Sequence, residues 1–449
     1  MKLREYQIEP VDAGVLFFKQ LYQHRNPSII VAPTGAGKSI IIAEIVDRIK
    51  DKVIVLQPSK ELLKQNYDKF INLGGKADIF SASMKEKELG SITYATIGSI
   101  VKAIDRVKKL GINKVIIDEC DRFPRESSGM LRTFIEGIHA KHVLGLTATP
   151  LKLQTNTALD GTSYSKLVML TNRSKKGNFF KSIIHVIQIQ ELVSLGYWAK
   201  IKYDSVKFDT SDLEWNSSKS DYSESSINTS FTNQHIDETI LSKVKEYSNR
   251  RAILVAVPTV ENAEALSKRV PNSAALHSYL KNNERDSIIS NFKQGNIKVI
   301  FQVNILSIGF DYPQLDCLIC ARPTASLSWW YQFVGRGTRI HPDKKDVVVV
   351  DLVGSLERFG RVEDLVYRKD SNGRWELYGE EDKLLTSVAI SNITQRETSQ
   401  YIMPFGKYKG NTLDTLPEHY RRWLLENITW NDTNRNLKHE LNKLSYGRN

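Results

Sequence analysis

The stretch Val31–Ser39, VAPTGAGKS, constrains this chain more than any other. The run Ser28 to Ala32 is short and apolar, as a buried strand is, and from Lys38 onward apolar residues recur at helical spacing. Strand, glycine-containing turn and helix follow in the order that wraps backbone N–H groups around phosphate oxygens. Gly35 and Gly37 let the backbone turn inward, Lys38 brings charge to the outer phosphates, and the Ser39 hydroxyl is placed to ligate Mg²⁺. Ala32 stands where the usual pattern of such a loop begins with glycine. A tight turn with a surface lysine has the same outline, so the reading needs partners elsewhere in the chain.

The stretch NKVIIDECD supplies them. Val115, Ile116 and Ile117 suit a central parallel strand, which puts Asp118 at its carboxyl end, where ligands bind in such sheets. Asp118 reads as the Mg²⁺ ligand, directly or through water, and Glu119 as the base or orienter of the attacking water. In HVLGLTATP a third apolar run ends in Thr147 and Thr149, hydroxyls able to relay a γ-phosphate signal, and Pro150 stops it.

Nine stretches in this order, over roughly residues 3 to 340, resemble the superfamily 2 helicases and translocases. LREYQ resembles the adenine-sensing Q motif, APTGAGKS motif I, LQPSKELLKQ motif Ia, ITYATIGSI motif Ib, DECD motif II and TATP motif III. AILVAVP, SIGFDYPQLD and QFVGRGTR resemble motifs IV, V and VI. Within the superfamily the likeness is to RadD-like repair helicases and phage branch-migration helicases of the UvsW kind, although the RadD cysteine-rich zinc region is missing. The resemblance implies an α/β fold of two tandem RecA-like P-loop NTPase domains with parallel sheets, plus a small C-terminal module. It assigns Arg4, Gln7, Pro33, Thr34 and Ala36 to the nucleotide along with the loop residues above. It assigns Pro58, Ser59, Lys60, Thr96 and Ser99 to a nucleic-acid grip, and DNA as the nucleic acid.

The second half lacks a phosphate loop, yet RAILVAV, KVIFQV, LDCLICA and VVVVDLV alternate with helical patterns, as in a second α/β domain. Its chemistry lies in Arg336 and Arg339, three apart, able to point at a phosphate held by the first domain. An arginine in that role spreads transition-state charge and is worth roughly a thousandfold or more in rate. The resemblance adds Gly309, Asp311 and Gln332 to the same site.

These readings divide the chain into a first domain over residues 1–203, a linker or surface excursion over 204–236, a second domain over 237–375 and an accessory module over 376–449. Around YSKLVMLTNRSKKGNFFKSIIHV, two strand-like runs flank Arg173, Lys175 and Lys176 with Phe179 and Phe180 behind, an outline that suits a strand-separating hairpin or an ordinary one. Trp329 and Trp330 suit helix packing or base stacking. DSNG marks a second hairpin turn. Cys317 and Cys320 sit in an apolar strand pattern without a second ligand pair, so no zinc is expected. Lys407 and Lys409 alternate with Phe405 and Tyr408 in a stretch that resembles a module at the ends of DNA-processing proteins, which implies DNA contact.

Composition agrees with this outline. The formal net charge of +12 favours a polyanionic partner, three cysteines cannot build a disulfide framework, and no apolar run reaches the length of a membrane span. The expectation is a cytoplasmic monomer, in a bacterial cell or phage-infected host, that uses ATP and Mg²⁺ on forked, branched or single-stranded DNA beside replication or recombination proteins. A duplex translocase motoring a larger complex and an ATP-gated clamp share most of the same features.

Overall fold

The computed structural model describes residues 3–19, 26–122, 129–157, 163–172, 178–303 and 312–390, and in the C-terminal module 403–411, 413, 416–428, 434, 437, 438 and 441. The apolar runs of the first half become β1 (Ser28–Val31), β2 (Val53–Gln57), β3 (Asp78–Ser81), β4 (Glu86–Lys87), β5 (Ile92–Thr96), β6 (Lys114–Asp118) and β7 (His142–Thr147). The chain then leaves the sheet as an antiparallel pair, β8 (Leu151–Thr157) and β9 (Ser163–Met169), and returns as β10 (Ser182–Val186). The first sheet runs β10-β1-β7-β6-β2-β5-β3-β4, parallel throughout except for the β3–β4 pair. Every residue of β1, β2 and β7 is buried, which is why these strands read as unbroken apolar runs rather than alternating ones.

Helices α1 (Glu5–Lys19), α2 (Lys38–Ile49) and α3 (Lys60–Asn72) pack in sequence beside this sheet. Helix α2 buries Ile41, Ile42, Ile45, Val46 and Ile49, one continuous stripe at helical spacing. Helix α3 starts where Ser59 accepts the Leu62 N–H on its hydroxyl, an N-cap.

The second sheet is wholly parallel: β11 (Ile201–Ser205), β12 (Ile253–Ala256), β13 (Ser273–Leu276), β14 (Val299–Gln302), β15 (Cys317–Cys320) and β16 (Val347–Asp351), in the order β11-β16-β15-β12-β14-β13. Cys317 and Cys320 are both buried in β15, and burial pushes both thiols up, that of Cys317 to about 12. Two sheets ending on a shared cleft are the RecA-like pair that the sequence implies.

Three boundaries differ from the sequence reading. First, β11 belongs to the second sheet, paired with β16 from Ile201↔Val347 to Ser205↔Asp351, so the second unit starts before residue 204. The stretch that follows is anchored: helix Glu224–Asn233 buries Ile227 and Phe231, and the Asp221 carboxylate accepts the Ala325 N–H at 2.6 Å and the Thr324 hydroxyl at 3.1 Å. Its serine-rich composition masks a few well-placed apolar residues.

Second, the runs either side of Arg173, Lys175 and Lys176 do not pair with each other. β9 pairs with β8, and β10 lies parallel to β1 in the main sheet, because β10 is apolar enough to cover the sheet edge. The three basic residues lie outside the described residues, and Phe180 is buried. Third, the DSNG turn does join two antiparallel strands, β17 (Val366–Lys369) and β18 (Trp375–Tyr378), but the pair docks on the first domain. Gln188 exchanges two hydrogen bonds with the Tyr367 backbone, Asn172 donates to Glu376, and the Ser387 N–H donates to the Leu167 carbonyl at 2.6 Å. Residues 376–390 are thus a strap across the two motor domains, and the separate core of the C-terminal module gathers from Met403 onward.

Candidate nucleotide site

The loop after β1 takes the shape its glycines allow. Gly35 and Gly37 hold φ of +84° and +81°, the left-handed region that side chains disfavour. Gly37 caps α2 without a side-chain bond, and the Ile40 and Ile41 N–H groups turn back to its carbonyl, so the N–H groups of Lys38 and Ser39 are left for a ligand. Four side chains brace the loop from behind, the Tyr6 hydroxyl among them, donating to the Ala36 carbonyl at 3.3 Å. The Gln7 amide donates to the Ala36 carbonyl at 2.9 Å, while its oxygen accepts the Arg4 N–H. The Thr34 N–H donates to the Tyr331 hydroxyl at 3.1 Å, and the Trp198 indole donates to the Thr34 carbonyl at 3.0 Å.

The end of β6 presents the acids. Asp118 is buried; one oxygen accepts the Asn66 amide at 2.7 Å and the other the Glu119 N–H at 3.0 Å. Burial pushes its carboxyl up to about 7, the Glu119 charge adds to the rise, and Lys38 opposes it. Glu119 itself sits at φ 47°, a conformation that costs a non-glycine residue about 1–2 kcal/mol, and this turns its carboxylate to Lys38 at 3.3 Å. Strain held at such a position is typical of a site that uses it. Asp121 collects the two motif III hydroxyls, Thr147 at 2.6 Å and Thr149 at 3.1 Å, on separate oxygens, and burial raises its carboxyl with Glu119 adding. Asp121 thereby joins the turn after β6 to the end of β7.

From the second unit, helix Leu327–Val334 begins where Ser326 caps the Trp329 N–H. Gln332 accepts from the Arg122 guanidinium at 2.9 Å, across the cleft. At Gly335 a Cβ would stand 2.9 Å from the Thr34 Cβ, so only glycine permits this approach of motif VI to the phosphate loop. Arg336 and Arg339 line the same cleft as Pro33, Thr34, Gly35, Gly37, Lys38, Ser39, Asp118 and Glu119, a space of about 300 Å³. Behind them Lys344, pushed down to about 8 by burial, donates to the carbonyls of Gly337 and Arg339 and holds the arginine loop in place.

The donor set fits a Mg²⁺-nucleotide: helix-terminal N–H groups and cations for phosphates, Ser39 and buried Asp118 for the metal, arginines opposite. At one end Arg4 lies over the Tyr197 ring at 4.3 Å beside Gln7, a flat wall suited to a base. Tyr197, Trp198, Tyr331, Asn66, Arg122 and Lys344 were not singled out by motif reasoning. Arg122 adjoins the motif II acids and was within reach of it; Lys344 acts on backbone carbonyls across a turn, and the others through contacts distant in sequence.

The grip residues are less gathered. Pro58, Ser59 and Lys60 follow β2, with the Ser59 hydroxyl spent on its cap. Thr96 and Ser99 share a 3.0 Å hydroxyl contact after β5, and Ser99 also accepts the Ala82 N–H. Both groups lie at the carboxyl edge of the first sheet. Gly309 and Asp311 lie outside the described residues. Trp330 is fully buried and Trp329 stacks on Phe333, so both pack. Lys407 and Lys409 are exposed on the C-terminal module. Among the described residues no helix is long and apolar enough to cross a membrane.

Comparison with known proteins agrees with this geometry. The family "Type III restriction enzyme, res subunit" matches residues 1–152, "Helicase conserved C-terminal domain" matches 233–341, and "Putative quorum-sensing-regulated virulence factor" matches 394–430. The chain therefore carries two RecA-like helicase domains, and the proteins it resembles are superfamily 2 helicases. It is 24% identical over 374 residues to "Putative ATP-dependent helicase IRC3" of Saccharomyces cerevisiae, covering 79% of this chain and 52% of that protein. It is 25% identical over 396 residues to "DNA 3'-5' translocase XPB2" of Sulfurisphaera tokodaii, covering 79% of this chain and 82% of that one. Among solved structures it is similar in fold to the ATP-dependent Type ISP restriction-modification enzyme LlaBIII bound to DNA, with a TM-score of 0.55 and 17% identity over 79% of this chain and 28% of that one. The chain thus spans about half the length of the yeast relative.

Proposed function

We propose that the chain is an ATP-driven DNA helicase or translocase that separates or branch-migrates strands at forks and junctions. One observation carries the reading: a single cleft joins Lys38, Ser39, Asp118 and Glu119 from one unit to Gln332, Arg336 and Arg339 from the other. Hydrolysis then requires both units, so closing and opening of the cleft is tied to each turnover. Bound Mg²⁺ would neutralise phosphate charge from Ser39 and Asp118. Glu119 orients water, Arg336 and Arg339 spread charge on the outer phosphate, and Thr147 and Thr149 pass the state of Asp121 to β7. Pro58, Ser59, Lys60, Thr96 and Ser99, with Arg173, Lys175 and Lys176 and the motif V residues Gly309 and Asp311, are the contacts that would convert closure into movement along DNA. DNA is taken as the nucleic acid on the name of one of the relatives, a DNA translocase; the net charge of +12 suits any polyanionic strand. A second reading, a duplex-tracking motor, is favoured by the restriction-enzyme family match over the first domain.

The test is ATPase rate and strand separation measured side by side on single strands, blunt duplex, forks and a four-way junction, for the unaltered chain and Lys38→Ala. DNA-stimulated hydrolysis with forks or junctions resolved only when Lys38 is intact is the expected result. Stimulation without strand movement favours the duplex motor or a clamp, and stimulation by RNA alone overturns the substrate.

A further inference from the structure

The C-terminal residues build a core of their own, in which Met403, Leu413, Leu416 and Leu424 are buried apart from the motor domains. The loop over it is closed by backbone: the Gly410 N–H donates to the Met403 carbonyl at 2.9 Å, and the Met403 N–H to the Asn411 carbonyl at 2.8 Å. Gly406, at φ +77°, lies so near helix Glu418–Asn427 that a Cβ would stand 2.9 Å from the Tyr420 hydroxyl. This approach sets Tyr408 against Tyr420 at 4.7 Å between ring centroids. Tyr420 in turn faces Trp423, one helical turn on, at 5.8 Å and 16° from parallel.

The outer end of this ladder is open. Trp423 is 51% exposed and Phe405 39%, and of the large apolar side chains exposed among the described residues only Tyr279 is also aromatic. An indole used for packing would bury that surface, since its burial stabilises a fold. Here the ring is stiffened from one side by Tyr420 and left in water. Charge lies beside it: the Lys407 ammonium stands 5.5 Å from the Tyr408 ring, and Lys409 is exposed two residues on. A flat, pre-ordered aromatic face with lysines alongside matches a nucleic-acid strand whose bases are unstacked, because every base offers a π-face and every linkage a phosphate. Bases in a duplex already stack on one another and do not present that face.

We propose that Trp423, stacked on Tyr420, is a platform for a base of single-stranded DNA, with Lys407 and Lys409 following its phosphates. The module is then a second grip on the strand, separate from the motor cleft. The choice of DNA rests on the proposed function above; the geometry of the platform does not.

The test uses the full chain carrying Lys38→Ala, without nucleotide, and fluorescein-labelled oligothymidylate followed by anisotropy. Trp423→Ala is expected to weaken binding about tenfold and Trp423→Phe to restore most of it. Lys407→Gln with Lys409→Gln is expected to flatten the salt dependence by about 1.4 in log–log slope. Photocrosslinking through 5-iododeoxyuridine should map to Trp423. Equal affinity of the Trp423→Ala chain, equal competition by blunt duplex of the same length, or a Trp423→Phe chain as weak as Trp423→Ala overturns the platform. The phenylalanine variant keeps a ring over Tyr420, so a fold lost only in the alanine variant does not decide the outcome. Trp423-dependent oligothymidylate binding by the Lys38→Ala chain, together with no strand separation by the chain with Lys38 intact, leaves the platform standing while the motor reading fails.

Discussion

Replacing Tyr331 by phenylalanine removes one oxygen and nothing else from the join between the two motor domains. That oxygen accepts the Thr34 N–H at 3.1 Å, so it ties motif VI directly to the phosphate loop. The ring stays buried in the apolar surroundings that already push its hydroxyl proton affinity up, and the phenyl group fits the same space. A hydrogen bond of this kind contributes about 1 kcal/mol net. If the bond holds the loop in its ligand-ready shape with the cleft closed, kcat/KM for ATP falls about fivefold. The assay is steady-state hydrolysis at saturating DNA, with binding of a fluorescent non-hydrolysable nucleotide as a second readout. Tyr203→Phe is the control, since its hydroxyl donates to Glu363 at 2.8 Å within the second unit and away from the cleft. The control is expected to lower the melting temperature by no more than about 4 °C and leave nucleotide kinetics in place. The reasoning fails if Tyr331→Phe leaves kcat/KM unaltered, or if Tyr203→Phe lowers it by as much.

Two further outcomes follow from the same geometry. Arg336→Lys keeps the positive charge but loses the forked donors, and kcat should fall roughly a thousandfold while nucleotide affinity changes little, as read by single-turnover hydrolysis and equilibrium binding. Gly37→Ala places a Cβ 2.6 Å from the Gln7 amide nitrogen at a φ of +81°, so nucleotide-dependent thermal stabilisation should disappear.

The legible parts of this chain are those whose cause is local. The turn at Gly35 and Gly37, the acids ending β6 and the glycine of motif VI each need a particular residue at a particular place, so the chemistry shows in the letters. Parallel strands buried on both faces also announce themselves as apolar runs, which is why β1, β7 and β16 were readable. Pairing is another matter. The apolar pattern of β10 suits an antiparallel return as well as it suits the sheet edge beside β1, and only the finished sheet decides. β8 buries only Leu151 and then alternates half-buried and exposed residues, with lysine, glutamine and asparagine among them, and its polar content hid a strand. Trp198, Tyr331 and Lys344 act on backbone groups of residues far along the chain or across a turn, and backbone groups leave no trace in a sequence.

The strap has a consequence for how the molecule is born. β9 emerges early in synthesis, yet the groups that complete its surroundings, Glu376 with Asn172 and Ser387 with Leu167, arrive late; the first pair is separated by 204 residues. At the usual pace of a ribosome that interval is on the order of ten to forty seconds. Through it the first domain carries an edge strand without its final neighbours, exposed to wrong pairing. Truncation anywhere before residue 390 therefore leaves a defect in the first motor domain rather than only at the far end of the chain.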